Sequence, residues 1–155
     1  MTVTGIGARR RGFVLIAMSV AMLLMLAMIG MAFDFGRIYI ARNEAQVFTD
    51  AAAMTAASKL DGTGDSVERA RGAVARLPMR WNLGTQEFTG ITVEFSGDGQ
   101  RWAANPVDPS AIEFTRVTAP ANQVEILFLR AVGGPDSLTV PAYSVARVRP
   151  VRLVE

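Results

Sequence analysis

Few side chains in this sequence could carry out acid–base or nucleophilic chemistry. Histidine and cysteine are absent, so the usual base for a serine nucleophile and the usual zinc ligands are missing. The only lysine, Lys59, lies near an expected helix end, and Glu87, Glu94 and Asp98 lie where strand faces and turns normally place acids. We therefore expect no enzymatic activity, no cofactor, no metal site and no small-molecule substrate.

The most extreme feature of the sequence is an uncharged apolar run at residues 13–33, FVLIAMSVAMLLMLAMIGMAF. At about 1.5 Å per residue, a helix of this length reaches ~31 Å, the thickness of a bilayer core. A small soluble core would rarely need such a run, and a cleaved signal peptide usually has a shorter apolar region. The run therefore predicts a transmembrane span, preceded by a basic leader at residues 1–11.

The charge around this span predicts its orientation. Arg9, Arg10 and Arg11 precede it with no acid nearby, whereas Arg37 and Arg42 follow it. Under the positive-inside bias, the three arginines place the N-terminus in the cytoplasm and the C-terminal part outside the inner membrane. The basic residues form no face with interleaved aromatic residues, so a nucleic-acid partner is not expected.

The helical pattern continues beyond the span, because no proline intervenes before Asp61. We expect a single helix over residues 12–60 and an extracytoplasmic α+β domain over residues 61–155. Within that domain the patterns predict a second helix at 66–77, a loop at 103–111 and about four strands, at 91–95, 123–129, 138–140 and 144–154. The predicted fold class is thus α+β: a long N-terminal helix with a small antiparallel sheet, pilin-like in outline.

Two apolar stripes run along the outer half of the long helix. We call the first the outer stripe; it contains Phe33, Gly36, Ile40, Val47, Ala51 and Met54. We call the second the alanine stripe; it contains Ile38, Ala41, Ala45, Phe48, Ala52 and Ala56. A helix that packs against one domain needs only one apolar stripe, so two stripes suggest a second packing partner. Small residues allow another backbone to approach closely, which favours the alanine stripe as the partner surface, although both stripes could also pack in the protein's own domain.

Asp34 lies in line with the alanine stripe, at the depth where the bilayer ends. An ionised carboxylate there needs water or a partner. Two interpretations remain open: Asp34 forms a local pair with Arg37, three residues further along the helix, or it docks on a basic group of a neighbouring protein.

The sequence from Arg10 to Leu60 resembles the N-terminal segment of the TadE/TadG-like family of Flp (tight-adherence) pilus assembly proteins. The family pattern has an arginine-glycine pair, a span, Asp-x-Gly-Arg at its exit, and then glutamine and Asp-Ala-Ala-Ala further along the helix. The matching positions are Arg11-Gly12, Asp34, Gly36, Arg37, Gln46 and Asp50-Ala51-Ala52-Ala53.

The resemblance implies a membrane-anchored structural or assembly component of a Flp pilus or a related secretion system. Its partners would be inner-membrane lipid and other pilus-assembly or pilin-like proteins. The residues expected to contact a partner are Asp34, Gly36, Arg37, Ala41, Ala45, Gln46, Phe48, Asp50 and Ala52. Two alternatives remain open: a minor pilin that is incorporated in the fibre, and a membrane-anchored ligand-binding or sensing module with Trp81, Trp102 and Tyr143 at its site.

Two features depart from relatives of this family. Pilins cut by a prepilin peptidase carry glutamate at the fifth mature position, which would be Ala17 if cleavage followed Gly12. Some TadG members contain an Asp-x-Ser-x-Ser metal-site motif. The most similar segment here is residues 108–112, which lack the second serine. We therefore expect neither cleavage at Gly12 nor such a metal site.

Overall fold

The first element is a long helix, α1, which runs from Ile6 to Ala57. The computed structural model describes residues 6–148, with side chains from residue 12 onward. The 52 residues of α1 contain no proline and many alanine, leucine and methionine residues, which have high helix propensity. The helix begins earlier than the predicted start at Gly12 and ends three residues before Leu60. The side chains of Arg9, Arg10 and Arg11, on which the predicted orientation depends, lie outside the described part.

A short second helix, α2, spans Ser66–Val74. Ala70 and Val74 are buried on one of its faces, as the helical spacing of its apolar residues predicted. The helix ends before the predicted Leu77, because residues 76 and 77 donate their amides only three positions back, to Ala73 and Val74. Pro78 follows and cannot continue the helical hydrogen-bond pattern.

The main sheet has three antiparallel strands: β3 (Thr92–Ser96), β4 (Phe114–Ala119) and β7 (Ala142–Arg147), in the order β3-β4-β7. The register pairs Val93 with Val117 and Val117 with Ser144. Buried and more exposed residues alternate along β4, the pattern of a strand with one face in a core. The sequence patterns predicted β3 and β7 but missed β4, the central strand.

Two further sheets have only two strands each. β1 (Arg80–Trp81) pairs with β2 (Gln86–Glu87), and β5 (Gln123–Glu125) pairs with β6 (Ser137–Thr139). The strand predicted at 123–129 therefore ends at Glu125, and the chain continues into a 3₁₀ helix at Leu129–Val132. The predicted loop at 103–111 contains a second 3₁₀ helix, Pro109–Ala111. The last strand ends at Arg147, and the part of its prediction from 149 to 154 lies outside the described residues.

The chain divides into two compact units. One contains α1 up to Gly36 together with the segment Glu125–Asp136, and the other contains Arg37–Val124 and the chain from Ser137 onward. The second unit holds the hydrophobic core, which includes the alanine stripe, α2 and the inner faces of the sheets. The fold class is α+β with a long N-terminal helix and small antiparallel sheets, which confirms the prediction.

The turn after β3 is held by Asp98. Its carboxylate accepts hydrogen bonds from the backbone amides of Arg101 and Gln100 and from the Ser96 hydroxyl, and these bonds lower the pKa of Asp98 to about 2. Because the folded pKa lies below the usual value of about 4 in an unfolded chain, the ionised carboxylate stabilises the fold above pH ~4, and this contribution is lost as the pH falls towards 2.

We therefore expect Asp98→Asn to lower the free energy of unfolding by a larger amount at pH 6 than at pH 2.5. Urea unfolding of the detergent-solubilised full chain at both pH values, followed by tryptophan fluorescence, measures this difference. A difference between the two proteins that stays constant from pH 6 to pH 2.5 would contradict the assignment.

Candidate functional site

The faces of α1 differ sharply in burial. In the larger unit, the alanine stripe is packed in the core: Ala41, Ala45, Ala52 and Ala56 are fully buried and Phe48 is nearly so. Phe48 stacks on Phe88, with ring centroids 4.3 Å apart. At Ala41, Ala45, Phe48 and Ala52, where a partner contact was predicted, the side chains are therefore covered by the protein's own domain.

The outer stripe has the opposite environment. Val47 and Met54 are 65% and 64% exposed, and Ile40 is also exposed. Gly36 is exposed as well, and a Cβ atom added there would meet no atom within 4 Å. Two stripes were predicted to need two packing partners, and the protein's own domain covers only one of them.

Gln46 and Asp50 join α1 to strand β7 within the larger unit. The Gln46 side-chain amide donates to Asp50 at 3.0 Å and to the Ser144 hydroxyl at 3.0 Å. The Ser144 hydroxyl also donates to the Asp50 carboxylate and lies 2.9 Å from the hydroxyl of the buried Thr49. Both predicted residues are exposed on the surface, but their polar atoms already fix the register of the helix against the strand.

Asp34 lies in the other unit, where it holds a loop of its own chain. Its side chain is only 1% exposed. One carboxylate oxygen accepts the backbone amide of Leu127 at 3.1 Å, and the other accepts those of Phe128 and Leu129 at 2.8 and 2.7 Å. Hydrogen bonds to an ionised acceptor are stronger than neutral ones. Neither interpretation of Asp34 from the sequence named this loop, and the carboxylate is enclosed by groups of its own chain.

The same loop packs on the end of the apolar run. A Cβ atom added at the buried Gly30 would lie 2.7 Å from the Cβ of Phe128, so only glycine allows this approach. The ring of Phe33 contacts that of Phe128 edge-on, with centroids 5.6 Å apart. Gly30 and Asp34 thus hold the same loop. Gly30 leaves room for Phe128 because it has no side chain, and the Asp34 carboxylate accepts the backbone amides of residues 127–129.

The sequence did contain a signal for this contact of Gly30 and Asp34 with the loop. Gly30 and Asp34 continue, at helical spacing, the line of small residues that leads to Ala41 and Ala45. The residues at 126–129, Ile-Leu-Phe-Leu, form an uncharged cluster that was interpreted as part of a strand. A strand that continued to residue 129 would use these amides for strand pairing. The observed turn instead brings three of them to one carboxylate.

One helix in the described part of the chain, within Gly12–Ala57, is long and apolar enough to cross a membrane. Its large apolar side chains from Phe13 to Ile29 are all exposed. Arg37, expected at the exit of the span, is partly buried.

The aromatic residues of the sensing alternative lie in three environments. Trp81 is buried and stacks on Phe88 at 5.4 Å. Trp102 lies under the guanidinium of Arg116, 4.6 Å from the ring centroid, and Tyr143 is exposed. These positions show no shared ligand site, since each ring has its own surroundings.

Two of the acids considered for catalysis or metal binding, Glu94 and Asp108, have structural partners. Glu94 pairs with Arg116 at 2.7 Å. Asp108 accepts hydrogen bonds from the amide and hydroxyl of Ser110, which lower the pKa of its carboxyl and cap the 3₁₀ helix that follows. Within the described residues, no three metal-binding side chains of the Asp, Glu, His or Cys type form a group that could hold a metal ion.

Comparison with protein-family models finds a match in the helical segment. Residues 12–59 match the family model Tad, described as "Putative Flp pilus-assembly TadE/G-like". Neither the search of curated proteins nor the search of solved structures found a match. The match covers the apolar run, Gly30, Asp34, the alanine stripe and the outer stripe, and it confirms the resemblance described from the sequence: residues 12–59 are similar to the N-terminal segment of TadE/G-like Flp pilus-assembly proteins.

Proposed function

We propose that the protein is a membrane-anchored structural or assembly component of a Flp pilus or a related secretion system. It acts by packing of its helix and domain and not by catalysis. The family match associates residues 12–59 with Flp pilus assembly, and α1 is long and apolar enough to serve as the anchor. In this proposal the N-terminus is cytoplasmic and the C-terminal domain is periplasmic.

The observation that carries the proposal is the exposed outer stripe. Ile40, Val47 and Met54 present apolar side chains on one face of the helix, roughly 145° from the alanine stripe at about 100° per residue. The protein's own core already covers the alanine stripe. The face formed by Ile40, Val47 and Met54 is therefore the one that we assign to a second helix, from another pilus-assembly protein of the same membrane.

The double substitution Val47→Gln/Met54→Gln tests this assignment. Glutamine has a helix propensity close to that of methionine, so the exposed changes should leave folding intact. If the two side chains are buried against a partner, their loss should weaken association by about 1.5–3 kcal/mol each. We expect co-purification of pilus-assembly proteins and surface piliation to fall sharply, while membrane insertion and thermal unfolding stay unchanged.

Arg42→Gln is the matched control, because it places the same side chain at an exposed position on another face of the helix. Normal piliation and unchanged co-purification in the double variant would overturn the assignment of the outer stripe. Recovery of the chain in sheared filaments with a mature N-terminus at Phe13 would favour the minor pilin. Thermal stabilisation by a small ligand would favour the sensing module.

A further inference from the structure

The segment that Asp34 holds is an apolar loop, residues 126–132, which we call the interfacial loop. Its sequence, ILFLRAV, contains one charged residue, Arg130. Ile126 is buried, but Leu127, Phe128 and Val132 are 51%, 48% and 66% exposed. Single exposed apolar residues are ordinary, whereas several together on one short loop mark an interaction surface.

The contacts of Phe128 fix the level of this loop along the helix. Phe128 packs on Gly30 and Phe33, and both residues belong to the uncharged run 13–33. With a rise of about 1.5 Å per residue, Gly30 lies roughly 4.5 Å before the last residue of that run. If the run spans the bilayer, Phe128 therefore lies at the edge of the hydrocarbon region.

We propose that the interfacial loop enters the membrane surface and that lipid covers Leu127, Phe128 and Val132. This inference rests on the proposed function, because it requires that α1 spans the membrane. Lipid is the occupant, because the neighbouring large side chains of the same unit, Met28, Ile29 and Phe33, are exposed on the helix at the same level. The loop extends that lipid-facing surface sideways from the helix.

The hydrogen bonds of the loop backbone fit this environment. Irregular backbone is tolerated at membrane depth only where its polar groups are satisfied within the protein. Seven backbone amides of the loop and its exit donate to acceptors of the chain itself, those of Ile126, Leu127, Phe128, Leu129, Ala131, Gly133 and Gly134. Three of the seven go to Asp34, so the buried carboxylate replaces the water that these amides would otherwise need.

Arg130 adds a positive charge beside the apolar side chains of the interfacial loop. Its guanidinium is exposed and approaches the exposed carboxylate of Asp136 at 3.5 Å. Arginine side chains at the end of an apolar surface extend their charged group to the headgroup region. The loop thus combines apolar side chains with a cation next to them, as membrane-surface segments do.

Site-specific labelling tests the inference directly, because the natural chain has no cysteine. The full chain carrying Leu127→Cys or Val132→Cys is labelled with an environment-sensitive fluorophore and reconstituted in phosphatidylcholine vesicles that contain lipids with brominated acyl chains. Val107→Cys, at a fully exposed position of the other unit, is the aqueous control. Leu24→Cys, in the middle of the apolar run, is the control for the span.

We expect brominated lipid to quench the fluorescence of the labels at 127 and 132 about twofold or more relative to the label at 107. Aqueous iodide is expected to quench the label at 107 more strongly than the labels at 127 and 132. Quenching at 24 with none at 127 and 132 would overturn the interfacial loop and leave the membrane anchor standing. Absence of lipid quenching at 24 would overturn the anchor itself, and the loop inference with it.

Discussion

The substitution Asp34→Ala is expected to release the interfacial loop from the helix. Three amides, those of Leu127, Phe128 and Leu129, would lose their common acceptor. Hydrogen bonds to a charged group contribute about 1.5–3 kcal/mol each, and donors left buried without a partner add a further penalty. Part of this cost is recovered when the loop opens, so we expect a local destabilisation on the order of 3 kcal/mol.

Amide hydrogen exchange of the detergent-solubilised full chain measures this opening. A local loss of about 3 kcal/mol corresponds to roughly 100-fold faster exchange at residues 127–129. Amides of β7, which belong to the other unit, should exchange at their original rates. Unchanged exchange at 127–129 would show that the carboxylate does not hold the loop.

The matched control is Asp136→Ala, which removes a carboxylate from the same unit. Asp136 pairs with Arg130, but both side chains are largely exposed, and exposed ion pairs contribute little. Its backbone carbonyl, which accepts the amide of Ile126, is retained in the variant. A large effect in Asp34→Ala with a small one in Asp136→Ala would separate the enclosed carboxylate from the loss of a charge in general.

The sequence allowed α1 to be predicted because its determinants are local. A long run without proline, rich in good helix formers, favours a helix whatever the rest of the chain does. The two stripes followed from the same periodicity. What periodicity could not supply was the identity of each neighbour. A face of alanines suits another protein's helix as well as it suits the chain's own sheet, and here it packs in the core.

The interfacial loop and strand β4 show why other elements were missed. Ile126, Leu127 and Phe128 have the composition of a strand, but Asp34, more than 90 residues away in sequence, takes amides that strand pairing would use. In β4 a threonine occupies a buried position, which hides the apolar alternation; the Thr115 hydroxyl donates to the carbonyl of Ala53 in α1. Both structures depend on partners distant in the chain, which local patterns do not contain.

The second large effect is expected from Ala52→Leu. Ala52 is fully buried in the core cluster that also contains Phe48 and Ala56. Alanine and leucine have nearly equal helix propensity, so the substitution tests packing alone. Extra methyl and methylene groups in a close-packed core force side chains from their rotamers, or shift the backbone, at a cost of typically 1–3 kcal/mol. Because an α-helix and a sheet meet here through an alanine, we expect the upper part of that range.

Ala51→Leu is the control, since it makes the same change at the neighbouring position, on the partly exposed outer stripe. Urea unfolding of the solubilised chain can be followed by the fluorescence of Trp81, which is buried in the same core cluster as Ala52. We expect Ala52→Leu to lower the free energy of unfolding and Ala51→Leu to leave it nearly unchanged. Equal stabilities would mean that the alanine stripe tolerates larger side chains. In that case, close packing of α1 on the domain would not explain the alanine at position 52. The small residues of the stripe would need another explanation, such as the second helix predicted there from the sequence.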